Sequence, residues 1–355
     1  MKTTKRALLQ SGVLLLIILA LSMPSQAAPD ASGPGSKAAP KRLIFFTYTP
    51  GSTDYTHAVA VADVLNRFSG MNVALHPYPQ SAAGLKGMHK GQADLGMMLF
   101  SEGYYNFHGI KSELEVGVEE PYPELRMLLG TYVLWWAWVT RPDTKIKTVA
   151  DLKGHKVVYR LPGRPKSDAL GSESLRAVGL DPTKDVKHIK YDNQVAMINA
   201  LKSRHADAIV VSLGGAALQE AKATVGIEVL PWTREIYNSF SPSLKTVVMA
   251  KEVPAGWVRE LDKPTQLAFG WAKMVGTRSD LDEQAAYMIV KTVMENGSEF
   301  LKMSPDFREY GVKDYAIPAE FPIPFHPGAI RYFKEKGLWT SAHDALQQKA
   351  FRPLK

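Results

Sequence analysis

The chain has 355 residues, enough for two or three domains and a sizeable core. Hydrophobic residues make up 45 % and charged residues 22 %, which excludes a natively disordered chain, and the absence of cysteine excludes disulfides, thiolate metal sites, cysteine nucleophiles and a lipid-modified N-terminal cysteine. The net charge of +8 suits attraction of small anions, but the basic residues are scattered without interleaved aromatics, so no nucleic-acid partner is expected.

The N-terminus reads as an export leader. Lys2, Lys5 and Arg6 precede the apolar run Val13 to Leu21, and Ser25-Gln26-Ala27 has the small-x-small form of a cleavage site. The run is shorter than the ~20 residues a membrane span needs, so residues 1–27 are expected to be a cleaved signal peptide. Its removal lowers the net charge from +8 by the three basic residues named. Residues 28–41, rich in Ala, Pro, Gly and Ser, are expected to form a flexible linker.

From residue 42 the pattern alternates between strand and helix. Arg42–Tyr48, Asn72–His76 and Ala93–Leu99 read as strands. The helix after the first has Ala58, Val61, Ala62, Leu65 and Phe68 at helical spacing, and Ala82–Lys90 reads as the next. Three polar loops follow the three strands, at Thr49 to Asp54, Tyr78 to Ser81 and Phe100 to Gly103. In an open parallel sheet such loops gather at the carboxyl edge, where ligands bind and helix N-termini favour anions. This singles out Gly51, Ser52, Thr53, Tyr55, Gln80, Ser81, Ser101 and Glu102 as ligand-binding candidates, with N-capping as the competing use of the same residue types.

Met127 to Val139 is a long apolar strand, read as the first crossing between two lobes. Alternation puts Trp136 and Trp138 on one face and Trp135 on the other, so at least one tryptophan is expected at the cleft or hinge. The plan then repeats, with strands at Lys156–Arg160, His188–Tyr191 and Ala206–Ser212 and loops at Leu161–Arg164, Asp192–Gln194 and Leu213–Gly215. Two segments, Leu85–Met98 and Ile198–Val211, echo one another: each runs from a helix end through a polar turn and an Ala-Asp pair into an apolar strand. This implies two α/β lobes of similar plan with a central cleft, residues 42–134 with 248–355 forming one and 135–247 the other. Lys245–Ala250 is expected to be the return crossing, and the chain beyond Gly256 reads as largely helical. Pro162, Gly163, Arg164, Ser167, Gly214 and Gly215 are the second-lobe ligand candidates; Arg164 and Arg160 flank the Pro-Gly turn and compete for the role of anion anchor.

Enzyme signatures are absent: there is no G-x-S-x-G, H-E-x-x-H, P-loop or G-x-G-x-x-G, and no histidine pair at i, i+4. No enzyme activity, metal or cofactor is expected.

Ile323-Pro-Phe-His-Pro-Gly-Ala-Ile-Arg-Tyr-Phe-Lys-Glu-Lys-Gly-Leu338, Gly91-Gln-Ala-Asp-Leu95 and Lys147-Thr-Val-Ala-Asp-Leu-Lys-Gly154 resemble signature elements of the TAXI class of solute-binding proteins, which serve tripartite ATP-independent periplasmic (TRAP) transporters. The resemblance runs from about residue 42 to 340. It implies a type II periplasmic-binding fold, a periplasmic and monomeric protein, a cleft for a small carboxylate such as a dicarboxylate or acidic amino acid, and delivery to a membrane permease. By position it places the family's binding loops at Gly51–Tyr55, Gln80–Ala82, Phe100–Glu102, Pro162–Ser167 and Leu213–Gly215, the fourth departing most because Arg164, Pro165 and Lys166 replace small residues. A periplasmic ligand sensor and an enzyme on the same fold are the alternatives.

Overall fold

The computed structural model describes residues 42–78, 80–115, 120–263 and 266–352. The expected leader over 1–27 and linker over 28–41 lie outside these residues. Among the described residues no helix is long and apolar enough to cross a membrane.

The first lobe follows directly from the alternating pattern. Strands β1 (Arg42–Thr47), β2 (Asn72–Pro77) and β3 (Leu95–Leu99) lie parallel in the order β2–β1–β3. Helices α1 (Thr53–Phe68), α2 (Ser81–His89) and α3 (Phe100–His108) follow each strand in turn. Every residue of β3 is buried, as a central strand covered on both faces requires. Helix α1 starts where Ser52 Oγ accepts the Tyr55 N–H, and it buries Ala58, Val61, Ala62 and Leu65. Phe68, expected on that face, ends the helix 43 % exposed, with the Arg67 guanidinium 4.6 Å from its ring centre.

Strand β4 (Leu125–Thr140) carries the chain into the second lobe. There β5 (Lys156–Val158), α4 (Pro165–Ala177), β6 (Lys187–His188), α5 (Gln194–Lys202), β7 (Ala208–Ser212), α6 (Ala216–Val225) and β8 (Glu228–Val229) repeat the plan. Along β4 the side chains alternate between two cores. Trp136 and Trp138 enter one, while Trp135, Ala137 and Val139 pack with Met197, Ile198 and Leu201 in the other.

The expected return crossing at Lys245–Ala250 is corrected by the structure. After α7 (Arg234–Ser239), that stretch is divided between α8 (Pro242–Val247), which Ser241 caps, and β9 (Met249–Val253). The return is made by β10 (Gln266–Arg278), a second long strand antiparallel to β4, β3 and β9. It lies in the stretch read as largely helical, because a run in which Ala and Gly alternate with larger residues carries no strong strand propensity of its own and is fixed by pairing. Helices α9 (Glu283–Glu295), α10 (Gly297–Met303), α11 (Lys313–Ala316), α12 (Pro327–Glu335) and α13 (Ser341–Lys349) complete the chain, α9 and α10 packing on α1. One sheet thus runs through both lobes in the order β2–β1–β3–β10–β4–β7–β5–β6. The mixed sheet, its helical cover and the two strands that cross between lobes make a type II periplasmic-binding fold.

The echoed segments do the same work twice. Asp94 exchanges two bonds with Ile44 of β1, donating N–H to the carbonyl (2.8 Å) and accepting the Ile44 N–H on Oδ2 (2.7 Å). Asp207 does the same with Lys156 of β5, at 2.7 and 2.9 Å. Each Asp carbonyl also accepts a threonine hydroxyl from a crossing strand at 2.7 Å, Thr277 of β10 on Asp94 and Thr140 of β4 on Asp207.

Candidate functional site

The loops after β1, β2 and β3 meet the loop after β5 and the end of β7 where the two lobes face each other. A cavity of about 50 Å³ lies between them, walled by residues of both lobes and of both crossing strands. The lobes touch on either side of it. On one side Thr53 Oγ1 bonds Ser212 Oγ (2.8 Å) and donates to the Leu213 carbonyl (3.0 Å), and the Ala217 N–H donates to the Gly51 carbonyl (3.1 Å). On the other, the Lys166 ammonium donates to Ser101 Oγ at 3.1 Å and pairs with the Glu115 carboxylate.

Three acids and three bases line the cavity, and most are mutually satisfied. Lys273 of β10 and Asp54 of α1 form a buried ion pair at 2.8 Å, the two side chains 1 % and 5 % exposed, and the Tyr132 hydroxyl donates to Asp54 Oδ1 at 2.9 Å. Tyr132 stacks on His57 with ring centres 3.6 Å apart. Burial, reinforced by the Lys273 charge, pushes the His57 pKa down to about 3, so a neutral ring backs the Asp54–Lys273 pair. Glu102 accepts the Leu99 N–H (2.7 Å) and the Tyr48 hydroxyl (3.1 and 3.2 Å to its two oxygens). Burial pushes this carboxyl up, but the Lys273 and Lys166 charges and the Leu99 N–H outweigh it, and Glu102 stays ionised.

Arg164 stands apart. Its guanidinium donates to the neutral Gln194 Oε1 at 3.1 Å and lies 5.5 Å from the Tyr48 ring centre, which the Lys273 ammonium approaches to 4.8 Å. It makes no ion pair among the described residues, so a positive charge of the second lobe stands over Tyr48 of the first with a neutral hydrogen-bond partner. Trp136 and Trp271 also line the cavity, their rings edge to face at 5.2 Å, and neither indole N–H finds an acceptor among the described residues. The arrangement can hold a small anion by charge and by the fork of one guanidinium.

The structure distributes the sequence candidates between the cavity and the contacts that frame it. Gln80, Ser81, Glu102, Gly163, Arg164 and Ser167 line the cavity. Gly163 makes the Pro-Gly turn at φ +67°, and a Cβ there would sit 2.7 Å from the Gln80 side-chain amide. Ser167 Oγ donates to the Tyr159 carbonyl at 2.7 Å. Gly51, Ser52, Thr53, Gly214 and Gly215 lie instead at the lobe-to-lobe contact: Ser52 caps α1, Thr53 bonds Ser212, the Gly214 N–H donates to Glu260 (3.1 Å), and a Cβ on Gly215 would meet the Thr53 nitrogen at 2.9 Å. Ser101 sits at the rim under Lys166, while Tyr55 and the exposed Pro162 are outside the cavity. Arg160 pairs with Asp168 at 3.0 Å on the surface, outside the cavity. Asp54, the last residue of the first polar loop, lines it as well.

Sequence reasoning missed Tyr48, Glu115, Trp271 and Lys273. A signal for the last two exists: in Gln266 to Arg278 the small residues Ala268, Gly270, Ala272 and Gly276 all fall on even positions, the period of a strand, and a lone lysine interrupts an apolar run.

The fold has close counterparts among solved structures. One described as a periplasmic transporter superposes with a TM-score of 0.54 at 12 % sequence identity, covering 89 % of this chain and 99 % of its own. The periplasmic binding protein BugD superposes equally well, with a TM-score of 0.54 at 11 % identity over 88 % of this chain and 98 % of its own. At such identities the likeness establishes a common fold. The sequence itself goes further: residues 45–337 match the model of the NMT1-like family, from β1 through both lobes and both crossings to the end of α12. The chain belongs to the NMT1-like family.

Proposed function

We propose that the protein is the periplasmic solute-binding subunit of a TRAP-type secondary importer: it captures a small carboxylate, a dicarboxylate or acidic amino acid, between its lobes and delivers it to a membrane permease. It carries out no chemistry on the solute and needs no cofactor. The observation that carries the reading is Arg164, a cleft-lining guanidinium with a neutral partner alone, aimed across the lobe boundary toward Tyr48. The ionised Glu102 on the opposite wall favours solutes that add an ammonium to the carboxylate. Support for the TRAP assignment comes from the signature elements at Gly91–Leu95, Lys147–Gly154 and Ile323–Leu338, and support for export from the leader pattern over 1–27.

Calorimetric titration of the mature protein with succinate and L-glutamate tests the proposal. A charge-assisted hydrogen bond contributes roughly 1.5–3 kcal/mol, so Arg164→Ala weakens binding about ten- to a hundredfold. Arg164→Lys recovers part of the loss, since lysine lacks the planar fork. Binding of neither solute by the wild type, or affinity in Arg164→Ala within about twofold of wild type, refutes the assignment of the anchor. Co-purification with a membrane permease tests the importer role.

A further inference from the structure

A second cavity, about 410 Å³ and larger than that of the cleft, lies outside it. Its walls come from the first two turns of α3, the connection from α8 to β9, the middle of β10, the stretch Glu320–Pro322, and α13. Phe100, Trp271, Val248, Phe321 and Leu346 make its body apolar. Hydroxyls of Ser101, Tyr104, Tyr105 and Thr246 also line it, but its charged side chains and its histidine lie at two places. Lys349 and Arg352 stand exposed at one edge and form no ion pair with a described residue, against a single carboxylate, Glu320, also exposed. His108, whose pKa burial lowers, lines the wall with its Nε2 buried and unpartnered. The local charge is therefore net positive beside an apolar chamber of the size that small organic ligands occupy.

We propose that this cavity is a second ligand site and that it takes a small amphipathic carboxylate, with an aromatic or alkyl body inside and the carboxylate at the Lys349–Arg352 edge. The charge balance selects an anion. The lining selects an apolar body, because water in the chamber would meet mostly carbon. The site is physically linked to the cleft: Trp271 lines both cavities, and Ser101, which lines this one, accepts the bond from Lys166 that holds the lobes together. An occupant here that favours the closed arrangement strengthens solute binding, and the solute strengthens its binding by the same factor.

The test is titration calorimetry of the mature protein with 4-phenylbutanoate as probe. Saturable one-to-one binding is expected in the wild type. Lys349→Glu combined with Arg352→Glu, both at exposed positions that leave the core intact, weakens it by about tenfold or more. Leu346→Trp, which fills the chamber, abolishes it, while Arg164→Ala in the cleft binds the probe within about twofold of wild type. Absence of saturable binding overturns the proposal, as does wild-type affinity in the double charge variant. Loss of the probe in Arg164→Ala with the charge variant unaffected also overturns it, since the probe then sits in the cleft; whether the cleft itself takes succinate or glutamate is read in a separate titration.

Discussion

Lys273→Met is the sharpest perturbation the structure offers. The Lys273–Asp54 attraction at 2.8 Å amounts to roughly 6 kcal/mol at an effective dielectric constant of about 20. Bringing both ions out of water costs several kcal/mol each, so the pair itself contributes little net stability. Removing one partner is another matter. Asp54 would keep only the Tyr132 hydroxyl and the flank of a neutral His57, at a position 4 % exposed, and the loss should be about 3–5 kcal/mol. Asp54→Asn strands the lysine ammonium instead, in the field of Glu102, and should cost less. The double variant removes both charges and should be at least about 2 kcal/mol more stable than the sum of the single losses predicts. Guanidinium unfolding followed by tryptophan fluorescence and by far-ultraviolet dichroism measures all four corners of the cycle. A Lys273→Met loss below about 1 kcal/mol, or a double variant equal to the sum of the singles within about 0.5 kcal/mol, would refute the picture of a desolvated, mutually dependent pair.

Three further outcomes are expected. Gly215→Ala places a Cβ 2.9 Å from the Thr53 backbone nitrogen, so the lobes must part; small-angle scattering should show a larger radius than wild type at saturating solute, and an identical radius refutes the contact. Glu309, buried with its oxygens on the Val133 and Trp257 N–H groups, is held by desolvation at a pKa of about 7 against 4.5 for an ordinary glutamate. Between those values the folded state keeps a proton that the unfolded state has lost, so stability falls as pH rises from 4.5 to about 7, by about 3 kcal/mol for this group; urea midpoints at pH 5 and pH 8 should differ in that direction, and Glu309→Gln should flatten the slope. Arg160→Ala should change stability by less than about 1 kcal/mol and leave solute affinity unaltered, because its pair with Asp168 is 42 % and 43 % exposed; a tenfold loss of affinity would make Arg160 the anchor.

What could be read in the sequence was what local pattern determines. The strand–loop–helix order of both lobes, the Ala-Asp echo and the long crossing strand all follow from apolar periodicity, and the echo marks the two points where a strand locks to its neighbour. Loop positions were legible too, but the use of each loop residue was not. Ser52 and Asp54 are two apart in one turn, and nothing local says that the serine caps the helix while the aspartate meets a lysine from the far end of the chain. Lys273 shows in the sequence only as a lone lysine in an apolar run; its burial is set by Asp54 and Tyr48, both more than two hundred positions away. Met249–Val253 is too short and too polar to signal a strand, and Gln266–Arg278 mixes alanine and glycine with apolar residues, so each is fixed only when a partner strand pairs with it.

The two threonine latches, Thr140 on Asp207 and Thr277 on Asp94, have a consequence for how the chain must assemble. Strand β4 enters the sheet of the second lobe from the first, and β10 enters the sheet of the first from the second. Neither half can therefore be cut out as a continuous fragment: a piece ending before residue 266 leaves the edge of β3 open along Leu95–Leu99, an all-apolar strand with unpaired backbone groups and a template for aggregation. The native sheet closes only when the distant β10 arrives, a high-contact-order step that should make folding slow and all-or-none across the two halves. A chain made from its N-terminus therefore completes the first lobe's sheet only once residues 266–278 have been added, long after β3 itself exists.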